Sequence, residues 1–106
     1  MKEVFYNKLV RDKIPQIIEK AGKLCETKIL SDEKYLEMLD IKLDEELAEY
    51  HKDKNLDELA DLLEVLYAAA LARGYSIEEL ERLRENKRKK RGGFDKKILL
   101  TKVIEE

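Results

Sequence analysis

The chain is 106 residues long and 43% charged, with 22 basic and 24 acidic side chains and a formal net charge of -2, against a charged share of about 25% in an average soluble domain. That length predicts a single domain over residues 1–106 with a modest core, near the size at which association helps, so a homodimer or higher homo-oligomer is expected. Charge this dense but this balanced disfavours non-specific nucleic-acid binding, which draws on net or clustered positive charge.

The Lys- and Glu-rich composition with few amides resembles that of heat-adapted proteins, where ion-pair networks become more favourable. A single Cys25 excludes an intrachain disulfide, and the opening MKEVFYNK lacks the apolar core of a secretion signal, so a cytoplasmic protein is expected. No apolar run approaches the ~20 residues needed to span a bilayer. The nearest, residues 63 to 72, is interrupted by Glu64.

In chain order, Asp12 is placed to cap a short first helix through Ile14, Ile17 and Ile18, with Pro15 tolerated in the first turn and Gly22 ending it. Residues 24–30, LCETKIL, lack a helical stripe and read as a short strand. Ser31 or Asp32 opens a long second helix whose stripe is Leu36, Leu39, Leu43, Leu47 and Tyr50. Polar His51 to Lys54 makes a turn. Asn55, with Glu58 three residues on, starts a third helix that runs to Gly74. Ser76 and Glu79 form a capping box for a fourth helix ending at Gly92 and Gly93. The β-branched tail KKILLTKVIEE is suited to pair with residues 24–30. The expected fold is therefore mainly α, a small bundle of about four helices with a short β ribbon from residues 24–30 and 97–104.

The acidic clusters EELAE (Glu45 to Glu49) and ELAD (Glu58 to Asp61) bear most on function. If a tight turn joins the second and third helices, Glu49 lies level with Glu58 and Glu46 with Asp61, since both pairs of numbers sum to 107. The two levels are ~4.5 Å apart and packed helix axes about 8 to 10 Å apart, so the carboxylates of Glu46, Glu49, Glu58 and Asp61 converge on one small volume. Without a counterion they would repel by roughly 3 kcal/mol per close pair at an effective dielectric near 20. Glu45 points nearly opposite. Glu58 and Asp61 continue at helical spacing into Val65, Ala68 and Ala69, while Leu59, Leu63, Leu66 and Ala70 take the other face. A helix so apolar all round is normally enclosed, by other helices or by a second subunit.

Carboxylates alone suit a hard cation, so the expected cofactor is magnesium, with manganese in its place as the variant. A di-iron bundle is disfavoured because the lone His51 sits off the cluster. No EF-hand loop occurs. Magnesium usually keeps positions open for substrate phosphates, so a phosphate-bearing ligand is expected. The competing reading is that both clusters are solvated acids on charged helices and that Glu58 only caps. The register match and the apolar continuation below Glu58 and Asp61 favour the metal.

EELAE followed by ELAD resembles the EExxE and ExxD signature of the all-α, MazG-like nucleoside triphosphate pyrophosphohydrolases. YNKLVRDKIP near the start and KRGGF at Lys90 to Phe94 are similar to a branch of predicted house-cleaning pyrophosphatases related to phosphoribosyl-ATP pyrophosphohydrolase, and the likeness spans nearly the whole chain. The resemblance implies magnesium ligation by Glu46, Glu49, Glu58 and Asp61. It also implies water attack between the α and β phosphates of a nucleotide substrate, releasing a monophosphate and pyrophosphate. Glu45 is the candidate outer-shell or catalytic base residue. The stretch 50–57 is shorter than in many members, which puts part of the pocket elsewhere.

A triphosphate needs further cations, and Lys8, Arg11, Lys13, Lys90 and Arg91 are the candidates. Lys90 and Arg91 equally suit the dipole at a helix C-terminus without any ligand. Tyr50, Tyr67, Tyr75 and Phe94 are read as core rather than as base-stacking residues, and Cys25 as half-buried. Hydrolysis of phosphoribosyl-ATP is the nearest alternative activity. A catalytically inactive helical dimer that binds an acidic partner or RNA through Lys87 to Arg91 is the alternative of a different class.

Overall fold

The computed structural model describes residues 2–106. Its helices are α1 (Ile14–Lys20), α2 (Asp32–Asp53), α3 (Leu56–Ala72) and α4 (Ile77–Arg91). The fold is mainly α, and the chain divides into two compact units, the first ending at Tyr75 and the second starting at Ser76. No described helix is long and apolar enough to cross a membrane.

The first unit is built on the helical hairpin of α2 and α3, which pack on each other. Ser31 starts α2: its hydroxyl accepts a hydrogen bond from Lys34 N–H at 3.2 Å, and Asp32 and Glu33 add negative charge to the first turn, where the helix dipole favours it. Leu39 is the buried residue among those described, and Leu36, Leu43 and Tyr50 of the same stripe are half-buried. Leu47 stands more open. The helix continues through His51, Lys52 and Asp53, which the polarity of that stretch had assigned to the turn. It stops at Lys54, whose backbone is left-handed at φ 50° while its N–H still donates to the Tyr50 carbonyl at 2.7 Å. Asn55 then caps α3, so Lys54 and Asn55 form the whole joint.

On α3, Leu62, Val65, Ala68 and Ala69 are half-buried, and Glu58 and Asp61 extend that face toward the joint. Leu59, Leu63 and Leu66 form the opposite row and remain 44 to 46% exposed. The enclosure expected for so apolar a helix is therefore only one-sided in the single chain.

Ahead of the hairpin, α1 begins differently from expectation. Lys13, not Asp12, is its N-cap, and no side chain caps it. Ile14 N–H instead donates to the Arg11 carbonyl at 3.0 Å, so a backbone turn leads directly into the helix. Gly22, at φ 84°, ends it. The β ribbon does not form: among the described residues there is no strand, and residues 24–30 and 97–104 run as irregular chain. The side chains explain this, because Leu24, Ile29, Ile98, Leu99 and Leu100 are all widely exposed. A two-stranded ribbon with no apolar layer beneath it is marginal in water. Cys25 is exposed rather than half-buried.

The second unit is α4 and the tail. Ser76 accepts from Glu79 N–H at 3.1 Å, as its capping pattern predicts. The helix ends at Gly92, at φ 84°, with Arg88 to Arg91 in its last turn. Exposed pairs run along its surface, among them Arg84 with Glu81 at 2.7 Å and Arg88 with Asp95 at 3.4 Å.

Candidate metal centre

The cleft at the joint end of the hairpin is assembled from both helices by their caps and phases. Asn55 Oδ1 accepts the backbone N–H of Glu58 at 3.0 Å. The cap thus uses the amide of Glu58, and its carboxyl group faces the cleft. One helical turn further, Asp61 lies on the same side. From α2, Glu46 and Glu49 come round at the matching levels. These four acids, with Glu45, Lys8 and Lys42, line an open cleft of about 390 Å³.

The carboxylates group as two triplets, each with oxygen atoms within 4.8 Å of one another: Glu46, Glu58 and Asp61 in one, Glu49, Asp53 and Glu58 in the other, with Asp53 exposed outside the cleft lining. Glu58 belongs to both. The pairings expected from the hairpin register are present, but the acids gather around a shared Glu58 rather than as one square of four. Partial burial, then the fields of Asp53, Glu49, Asp61 and Glu46, raise the Glu58 carboxyl above its ordinary pKa of 4.5.

Three cations meet this charge. Lys42 Nζ lies 3.3 Å from Glu45 and 3.2 Å from Glu46, and both Lys42 and Glu46 are largely shielded from solvent. Arg11 Nη2 donates to Asp61 Oδ1 at 2.7 Å. Lys8 lines the cleft, with its ammonium 5.5 Å from the centre of the Tyr6 ring.

No protein-family model and no solved structure matches the chain. An uncharacterized protein of Mycolicibacterium smegmatis is 51% identical over 41 residues, which is 39% of this chain and 42% of that relative. The match thus spans less than half of either protein.

Of the candidate residues, Glu46, Glu49, Glu58, Asp61, Glu45 and Lys8 share the cleft, and Arg11 reaches it through Asp61. Glu45, expected to point away, is turned to the rim alongside Lys42. Lys13 is exposed at the start of α1 and does not line the cleft. Lys90 and Arg91 are exposed on the last turn of α4, in the other compact unit. Sequence reasoning missed Asp53 and Lys42. Both were detectable as helical neighbours, Asp53 four residues after Glu49 and Lys42 four before Glu46. Assigning residue 53 to a turn concealed the first.

Proposed function

We propose that the chain is a metal-dependent nucleotide pyrophosphohydrolase that cleaves between the α and β phosphates of a nucleoside triphosphate. The observation that carries this reading is the triplet Glu46, Glu58 and Asp61 inside a cleft that also presents Glu49, Lys8 and Lys42, with a second triplet sharing Glu58 at its edge. Anionic oxygens and cationic side chains in one cleft suit a metal and a polyphosphate together.

The donor set fits a hard divalent cation. Every ligand atom offered is a carboxylate oxygen, with no imidazole or thiolate among them, which favours magnesium or manganese over zinc or copper. Glu46, Glu49, Glu58 and Asp61 are the residues that would hold it, with Asp53 as a fifth acid. When bound, the metal supplies positive charge that orients phosphate oxygens, offsets charge developing on them and makes a bound water more acidic.

The chain's own residues do the rest. Lys8 and Arg11 bind phosphate oxygens through charge-assisted hydrogen bonds, Arg11 through its planar fork. Lys42 fixes the positions of Glu45 and Glu46. Glu45 accepts a proton from the attacking water, whose oxygen bonds to the α phosphorus as the bridging oxygen departs with the β phosphorus. The products are a nucleoside monophosphate and pyrophosphate.

The exposed row Leu59, Leu63 and Leu66 supports association of α3 with a second copy of the chain. Incubation of the purified protein with a panel of canonical and modified nucleoside triphosphates and magnesium tests the activity. Release of pyrophosphate and a monophosphate from at least one of them is expected. Failure with every member, with manganese as well as magnesium, overturns the reading.

A further inference from the structure

We infer that Arg11 is a resident counter-ion that a divalent cation displaces from Asp61, so that loading the cleft frees Arg11 and loosens, without detaching, the segment 2–13. The inference rests on the proposed metal site and concerns what this chain's own residues do when that site fills.

Three observations carry it. The first is the ion pair, 2.7 Å between Arg11 Nη2 and Asp61 Oδ1, which joins residues fifty positions apart. It ties a segment with neither helix nor strand to the side of α3. The second is that Asp61 belongs to the triplet with Glu46 and Glu58, so a guanidinium occupies one of the carboxylates a cation would use. The third is exposure. The Arg11 and Asp61 side chains are 56% and 42% accessible, so water and salt weaken their attraction and the pair yields readily to a competitor. A divalent ion brings twice the charge, approaches oxygen to ~2.1 Å in the case of magnesium, and gains from three carboxylates at once.

Beyond that pair the segment is held lightly, with Leu9 alone half-buried among residues 2–13. Val4, Phe5 and Tyr6 are exposed, and the backbone of Asn7 is left-handed at φ 47°. Displaced from Asp61, the Arg11 fork becomes available for a phosphate oxygen, which sets an order: cation first, polyphosphate second.

The test uses the full chain, freed of metal by chelation, with manganese alone as the probe. Manganese affinity is measured by calorimetry for the wild type, Arg11→Gln and Arg11→Lys, and the rate of chymotryptic cleavage after Phe5 and Tyr6 is followed with and without the ion. Removing an exposed competing ion pair is expected to tighten manganese binding in Arg11→Gln by up to about fivefold. Arg11→Lys keeps the charge and stays near the wild type. Manganese accelerates cleavage in the wild type, whereas in Arg11→Gln cleavage is already fast and does not respond.

Equal or weaker manganese affinity in Arg11→Gln overturns the inference, because Arg11 would then be supporting Asp61 as a ligand. So does wild-type cleavage that manganese leaves unchanged. In both cases manganese still binds and the metal site stands. Absence of any manganese binding to the wild type removes the metal site itself, and the inference with it.

Discussion

The side-chain oxygen of Asn55 accepts a hydrogen bond from the backbone N–H of Glu58 at 3.0 Å, so the residue shared by both carboxylate triplets is also the one whose amide starts α3. Stability and site geometry meet at that bond. Asn55→Ala should lower stability by about 1 kcal/mol, seen as a lower urea midpoint with an unchanged slope. Asn55→Asp should keep most of it. Because fraying the first turn of α3 loosens Glu58, the alanine variant should also bind manganese more weakly than the aspartate variant.

Glu58 gives the metal-free protein a pH dependence of definite sign. Its pKa in the folded chain is raised above 4.5, so the folded state holds this proton more tightly than the unfolded state does. The resulting stabilisation is complete below the unfolded value and is lost as pH rises through the folded one. Under chelation, Glu58→Gln should therefore be more stable than the wild type at neutral pH, with the gap closing as pH falls below 4.5. Paired urea titrations across that range check it, and parallel curves would contradict the electrostatic account.

Glu46→Gln and Asp61→Asn each remove one anionic ligand from the first triplet while keeping side-chain size. Manganese affinity should fall by at least about tenfold in either, since even outer-sphere partners of bound metals are worth 10- to 100-fold. Pyrophosphate release should be abolished. Far-ultraviolet circular dichroism should remain that of the wild type, because neither side chain is part of the apolar packing. An Asp61→Asn protein that turns over substrate at the normal rate would remove Asp61 from the ligand set.

Leu63 and Leu66 test the association proposed for α3. Burying a leucine is worth about 1.5 to 3 kcal/mol, so Leu63→Glu with Leu66→Glu should weaken self-association by at least two orders of magnitude. Light scattering over a concentration series reads this directly. A wild type that stays monomeric at every concentration would reject the second copy as the cover for this face.

How much of this was legible beforehand depended on whether a signal was local. Ser31, Asn55 and Ser76 each announce a helix by a side chain that bonds an amide three residues on, and each does so in the structure. The pairing of Glu49 with Glu58 and Glu46 with Asp61 needed only helical phase and a short joint. The end of α2 was misread because its stop is a left-handed lysine, where glycine or asparagine is the usual mark. That error hid Asp53. The ribbon failed for a different reason: β-branched composition in residues 97–104 describes a preference, while strand pairing also requires an apolar layer to lie on. The Arg11 contact with Asp61 spans fifty positions, and no sequence periodicity points to it.

The joint at Lys54 and Asn55 also limits how the gene can drift. With only two residues between the helices, an added or deleted residue there changes where α3 starts against α2, which would shift Glu58 and Asp61 from the levels of Glu46 and Glu49 although every side chain survived. Connector length is thus a hidden specification of this protein. One residue more between Asp53 and Leu56 of this chain, with no compensating change elsewhere, would be expected to disperse the two triplets.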